Sequence, residues 1–395
     1  MSESVNLQRD TLRAATSTVS LSNRFDRRPL LVFWEMTRAC DLACRHCRAS
    51  AQRHAAPDEL SFEEGRNLID ELAALGSPRP ILILTGGDCL KRPDLFLLLD
   101  HAAARGVPVA LAPSVTPLLN VGAIRALREH GVRSVSLSLD GAIPATHDEI
   151  RGVTGHFEAT VQALKDLKRW GFHVQVNTTV MRPNVNELAA IAAFLVELNV
   201  DAWEVFFVVA TGRATAGLEL APDEIHEVCE FLLEASRYGM TVRTVEAPYF
   251  RRYVKDRAHA QATDLLDQES SYLRDDLVAR LGESHRGLRA PSVATRDGKG
   301  VIFVSSSGEV FASGFLPLSL GNVRRQGLMA IYQDHELLRT IRAGKFRGPC
   351  GECEAVDLCG GSRARAYASR GDPLASDPSC PYAPHAAVML GVGAN

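Results

Sequence analysis

The sequence predicts an α/β fold: a partial (β/α)6 barrel of the TIM type, followed by a small cysteine-rich α+β domain. Three observations predict it. Short apolar runs alternate with amphipathic helical stretches from residue 30 to about 245, the pattern that builds a parallel sheet with helices outside. Motifs that carry chemistry fall just after the strands, where the loops of such a barrel hold function. Seven of the nine cysteines gather in two groups, one near each end of the chain.

The strands are expected at Leu30–Glu35, Ile81–Thr85, Pro108–Ala112, Ser134–Asp140, His173–Val180 and Ala202–Val209. Between them, apolar residues at helical spacing predict helices over Ser61–Leu75, Asp94–Arg105, Val121–His130, Ala159–Trp170 and Asn186–Leu198. Ser61 with Glu64 three residues on forms a capping box, and Gly76, Gly106, Gly131 and Gly171 follow helices as their ends prefer. Residues 222–290 add a helix (Pro222–Tyr238), a strand (Thr241–Glu246) and a charged helical stretch. A hairpin then turns at Ser307-Gly308, between Gly300–Val304 and Glu309–Ala312. The domain reading is a flexible arm over 1–28, the barrel over 29–245, a helical connector over 246–299 and the cysteine-rich domain over 300–395.

Composition narrows the function classes. The chain has 395 residues with 46% hydrophobic and 23% charged, ordinary for a globular protein, and enough for two or three domains. A net charge of −3 gives no electrostatic case for nucleic acid or an anionic membrane surface. No apolar run has the length of a membrane span, and the polar first 25 residues lack the apolar core of a signal peptide. Clustered cysteines suit metal ligation in a reducing compartment, so a cytoplasmic protein is expected.

Cys40, Cys44 and Cys47 form a C-x3-C-x2-C run immediately after the first strand. Three thiolates can hold three irons of a four-iron cluster and leave the fourth iron open, which marks a reactive site; a fourth protein ligand would close it. A zinc knuckle or a set of buried thiols uses the same residues. The run, with His46 before its last cysteine, resembles the signature of the radical S-adenosylmethionine (radical SAM) superfamily. The resemblance implies a 4Fe–4S cluster on Cys40, Cys44 and Cys47 whose open iron is chelated by S-adenosylmethionine.

Further motifs extend the resemblance. Gly86, Gly87 and Asp88 follow the second strand and match a Gly-Gly-Glu motif that receives the cofactor's amino group, with an acid one methylene shorter. Glycines let backbone approach a ligand closely. Ser138, in Ser138-Leu139-Asp140-Gly141, and Arg151, in His147-Asp148-Glu149-Ile150-Arg151-Gly152, resemble the pair that binds the methionine carboxylate, a task suited to a guanidinium fork. Asn177 is a candidate for the ribose or methionine portion. Cys89 reads as a free buried thiol. No general acid or base is identified.

The second group, Cys350, Cys353, Cys359 and Cys380, supplies four thiolates, a closed set used by structural zinc and by iron–sulfur clusters alike. The surrounding Cys359-Gly360-Gly361-Ser362-Arg363-Ala364-Arg365-Ala366-Tyr367 resembles the SPASM domain, which holds auxiliary 4Fe–4S clusters. Ser362 and Ser313-Gly314 stand where many members add cysteines, so one auxiliary 4Fe–4S cluster is expected. Trp34-Glu35-Met36-Thr37-Arg38, Gln175-Val176-Asn177-Thr178-Thr179 and Thr211-Gly212-Arg213 are similar to the radical SAM heme synthase branch. That branch implies a tetrapyrrole substrate whose propionates become vinyl groups, and a flavodoxin or ferredoxin as low-potential electron donor. A precursor peptide is the rival substrate within the superfamily, although some 28 residues before the barrel are too few for a peptide-recognition domain. A non-catalytic zinc-binding scaffold is the rival outside it.

Overall fold

The computed structural model describes residues 25–262, 271–290 and 294–383. Strands β1 (Leu31–Glu35), β2 (Ile81–Thr85), β3 (Val109–Leu111), β4 (Ser134–Ser138), β5 (His173–Val180), β6 (Ala202–Phe207) and β7 (Thr241–Val245) lie side by side in sequence order. All six pairings between them are parallel. The first helices that return the chain are α1 (Phe62–Ala74), α2 (Leu95–Ala104) and α3 (Val121–Glu129). Then come α4 (Pro144–Arg151), α5 (His156–Arg169), α6 (Leu188–Glu197) and α7 (Pro222–Ala235), and, after β7, α8 (Phe250–Ala262), α9 (Tyr272–Leu281), α10 (Leu328–Asp334), α11 (Glu336–Arg342), α12 (Pro349–Glu352) and α13 (Arg363–Arg370). The Ser61–Glu64 capping box is present at α1. Helix α4 is an addition to the expected elements: Pro144 at its first turn and Gly152 in the left-handed region bound it, in a stretch for which the sequence predicts no element.

The sheet continues beyond β1. Strand β9 (Gly300–Val304) pairs parallel with β1 on the edge opposite β2, and β10 (Glu309–Phe311) and β11 (Gly321–Asn322) follow antiparallel. The predicted hairpin therefore extends the same sheet, with the two-residue strand β8 (Arg296–Asp297) beside β9. Residues 1–24 of the expected arm lie outside the described residues. Phe25 is buried, and its carbonyl accepts from the Tyr332 hydroxyl at 2.6 Å.

Alternation along the strands sorts the two faces of the sheet. Val32, Trp34, Leu82, Leu84, Val135, Leu137, Val174, Val176, Trp203, Val205 and Val242 are sealed under the helices and form the main core. Their neighbours on the opposite face, among them Ser136, Ser138, Gln175, Asn177, Glu204 and Arg243, keep partial access to solvent and line a polar concavity. The sheet must curl to make it. Laid flat, β1 and β6 would stand roughly 24 Å apart, yet the Arg213 N–H, in the loop after β6, donates to the Cys47 carbonyl, in the loop after β1, at 3.0 Å. No described helix is long and apolar enough to cross a membrane.

Candidate active site

The three N-terminal cysteines sit on the β1–α1 loop at the C-terminal mouth of the barrel. Cys40 and Cys44 are buried and Cys47 is half-buried. The loop is tied down from three sides. The Cys40 N–H bonds the Gln52 carbonyl at 2.7 Å, and the end of α4 accepts the Ala43 and Arg45 N–H groups at its Arg151 and Ile150 carbonyls (3.3 and 2.9 Å). From the loop after β6, the Arg213 Nε donates to the Cys44 carbonyl at 2.9 Å. Gly212 makes this closure feasible: at φ +61° it leaves no room for a Cβ, which would lie 2.3 Å from the Arg48 carbonyl oxygen and 2.4 Å from that of Cys47.

Gly86 and Gly87 serve the same loop from β2. A Cβ on either would fall 2.5 Å from the Thr37 carbonyl oxygen or 2.3 Å from that of Ala39. The Gly87 and Asp88 N–H groups donate to those two carbonyls at 2.8 and 2.7 Å. The tight approach that requires glycine is thus made to the segment between β1 and the cysteines. Asp88 is fully buried. Its carboxylate accepts from the Leu90 N–H at 3.1 Å and the Thr116 hydroxyl at 2.8 Å, and burial pushes its pKa up. Cys89 is fully buried beside it, with its thiol pushed far up by desolvation.

His46, Asp140 and Arg151 meet behind the cysteines. The Arg151 guanidinium lies 2.7 Å from the Asp140 carboxylate and 3.6 Å from the Cys44 sulfur, and its Nε is buried without a hydrogen-bond partner. His46 Nε2 stands 3.6 Å from the same carboxylate. Burial lowers His46 to about 4, so at neutral pH its ring is uncharged. For Asp140, burial acts upward, but Arg151, His46 and His147 outweigh it and hold the carboxyl below its usual range. Sequence reasoning singled out Ser138 and passed over Asp140 two residues on. The available signal was the pairing of two quoted motifs, an acid in Ser138-Leu139-Asp140-Gly141 and an arginine eleven residues on. Ser138 and Asn177 stand opposite each other in register on β4 and β5. The Asn177 side chain accepts from Gln175 at 2.7 Å, and Gln175 in turn bonds Glu204 and Arg243 (2.8 and 2.6 Å).

The C-terminal cysteines occupy loops packed on the other side of the barrel mouth. Helix α12 (Pro349–Glu352) carries Cys350, and α13 (Arg363–Arg370) begins just after Cys359. The Asp377 N–H donates to the Cys350 sulfur at 3.5 Å, the Gly361 N–H to Cys359 at 3.4 Å and the Ala355 N–H to Cys353 at 3.4 Å. Burial pushes Cys359 up to about 12 and Cys380 up to about 11, so these thiols ionise at neutral pH only with a metal to stabilise the thiolate. Among the described residues no three His, Cys, Asp or Glu side chains converge on a point that would hold a single ion. A four-iron cluster makes no such demand, since each thiolate binds its own iron. All-sulfur donor sets, backbone N–H groups aimed at the sulfurs and an unpartnered cationic nitrogen nearby fit iron–sulfur chemistry in a low-dielectric pocket.

Fold and site define an iron–sulfur enzyme built on a partial parallel α/β barrel. Residues 34–195 match the family described as the Radical SAM superfamily. The chain is 35% identical over 358 residues to an AdoMet-dependent heme synthase of Methanosarcina barkeri, covering 90% of this chain and 97% of that one. It is 29% identical over 402 residues to an Fe-coproporphyrin III synthase of the same organism, covering 96% and 94%. In fold it resembles Streptococcus suis SuiB bound to the precursor peptide SuiA, at TM-score 0.65 and 16% identity over 94% of this chain and 81% of that one. The chain belongs to the radical SAM superfamily, and with it come S-adenosylmethionine and a 4Fe–4S cluster. A scaffold without catalysis is thereby set aside.

Proposed function

We propose that this enzyme reductively cleaves S-adenosylmethionine and oxidatively decarboxylates propionate side chains of a tetrapyrrole. The likeness that carries the reading is the 35% identity over 90% of the chain to a relative named as a heme synthase. When bound, cluster and S-adenosylmethionine supply a 5′-deoxyadenosyl radical that takes a hydrogen atom from an unreactive C–H.

The chain's own residues do the rest. Cys40, Cys44 and Cys47 hold the cluster at the barrel mouth. Gly86, Gly87 and Asp88 fix the segment between β1 and Cys40, and the half-buried Ser138 and Asn177 offer hydrogen bonds to S-adenosylmethionine on the lumen wall. Uncharged His46 and the unpartnered Arg151 Nε border the same space. The curled sheet excludes water around a reactive species. Cys350, Cys353, Cys359 and Cys380 hold one auxiliary 4Fe–4S cluster that receives the electron left on the product. A flavodoxin or ferredoxin supplies the reducing electron.

The test is anaerobic reconstitution with iron and sulfide, then incubation with reductant, S-adenosylmethionine and an iron-coproporphyrin. The expected result is release of 5′-deoxyadenosine, with the tetrapyrrole losing one carbon dioxide and two hydrogens per propionate converted. Cys44→Ala abolishes both. An unaltered tetrapyrrole in the presence of wild-type 5′-deoxyadenosine release would refute the substrate, and a precursor peptide would then be the next substrate to try.

A further inference from the structure

The three cysteines of the β1–α1 loop have unequal surroundings. The Cys40 sulfur meets two neutral partners, the Ser114 hydroxyl at 3.5 Å and the Leu42 N–H at 3.4 Å. The Cys44 sulfur meets a cation, the Arg151 guanidinium, with Nη1 donating at 3.6 Å. That guanidinium is locked in place. Its side chain is 8% exposed, and its Nη2 lies 2.7 Å from the fully buried Asp140 carboxylate. Asp140 is itself held, accepting the Thr179 N–H at 2.7 Å through Oδ1 and donating its own N–H to His147 Nδ1 at 3.1 Å. The backbone of Arg151 is docked on the same loop: its carbonyl accepts the Ala43 N–H at 3.3 Å, one residue before Cys44. Gly152 in the left-handed region then ends α4 against Ala43.

We infer that Arg151 acts on the iron–sulfur cluster through the sulfur of Cys44, raising its reduction potential, and that Asp140 is the positioning residue that holds it there. The inference rests on the three-cysteine cluster and goes beyond a carboxylate-binding role for this arginine. Reduction adds negative charge to the cluster and its thiolates, and a fixed cation in a poorly screened pocket stabilises that form. Asp140 offsets part of the charge, but it is the guanidinium that contacts the sulfur, so the positive end dominates. The iron ligated by Cys44 is therefore electronically distinct from the one ligated by Cys40, whose sulfur meets only neutral hydrogen-bond partners.

The experiment is an EPR-monitored redox titration of the reconstituted protein without substrate. The N-terminal cluster is identified as the signal that changes when S-adenosylmethionine is added. The variant is the double change Arg151→Gln with Asp140→Asn, which leaves no buried charge unpaired; Arg151→Lys, alone, keeps the cation. The expected result is a more negative midpoint potential in the double variant, with Arg151→Lys returning toward wild type. A midpoint equal to or above wild type in the double variant would overturn the inference, whatever happens to S-adenosylmethionine affinity. A wild-type protein with no signal responsive to S-adenosylmethionine would instead refute the cluster itself, so the two failures are separable.

Discussion

At the scale of single residues, two serines carry the most informative departure from the cysteine pattern of the SPASM domain. Ser362 donates its hydroxyl to the Glu246 carboxylate, and Ser313 bonds Asp297. Both acids are buried where β7 ends against the cysteine-rich region, and the second Glu246 oxygen has no hydrogen-bond partner. Burial, then the neighbouring Asp297, push Glu246 up from 4.5 to about 8, against the opposing pull of Ser362 and Arg365; Asp377 adds to the rise. The folded protein thus keeps a proton that the unfolded chain releases near pH 4.5. Stability contributed by the protonated group is full below that value and is lost as pH rises toward about 8. Glu246→Gln, which keeps the shape without the charge, is expected to flatten this slope and to gain most over wild type near pH 8. Thermal unfolding at a series of pH values checks it; parallel profiles for the two proteins would refute the buried proton. The serines were legible in the sequence as missing cysteines, but their carboxylate partners were not. Glu246 and Asp297 are 51 residues apart in the chain, and only the docking of β8 beside β9 brings them together.

At the scale of elements, the strands and most helices followed from periodicity. β1, β2 and β5 fall within a residue of expectation, because buried parallel strands are short apolar runs bounded by turns. What periodicity could not reveal is which distant elements cap one another. Helix α10 (Leu328–Asp334) begins at Gly327 with no side-chain cap of its own. Its first N–H groups are taken by Glu71 on α1, Oε2 from Leu328 at 2.9 Å and Oε1 from Met329 at 2.7 Å. A carboxylate there satisfies two orphan donors and faces the positive end of the helix dipole. Glu71→Ala is therefore expected to cost about 1–2 kcal/mol, and Glu71→Gln less, by the scale of side-chain caps. Chemical denaturation measures it, and an unchanged midpoint would show the cap to be dispensable. In a sequence Glu71 is one more polar residue on a helix, since its partners lie 257 and 258 positions away. Helix α4 was missed for the opposite reason, being short and polar, although Arg151 at its end and its partner Asp140 both lie in motifs the sequence did display.

At the scale of the whole molecule, the barrel and the cysteine-rich region are joined by more than the β1–β9 pairing. Arg365, 2% exposed on α13, reaches to the ends of β6 and β7. It donates to the carbonyls of Glu246 at 2.7 Å, Val208 at 3.3 Å and Phe207 at 3.4 Å. Its charge is faced by Asp377 at 3.6 Å, whose own N–H donates to the Cys350 sulfur. One guanidinium thus ties the mouth of the lumen to the loop of the C-terminal cysteines. If an electron passes from product to auxiliary cluster, this contact sets the distance it crosses. Removing it leaves buried carbonyls unsatisfied, at roughly 1–3 kcal/mol for each such group. Arg365→Gln should therefore lower stability by a few kcal/mol while iron content stays at the wild-type value. Its 5′-deoxyadenosine release should persist while product per 5′-deoxyadenosine falls, because in the proposed reaction hydrogen abstraction needs only the N-terminal cluster and completion also needs the proposed auxiliary one. Denaturation together with anaerobic quantification of the two products reads both effects. A variant as stable and as well coupled as wild type would mean that the β1–β9 pairing alone holds the two cysteine sites in register.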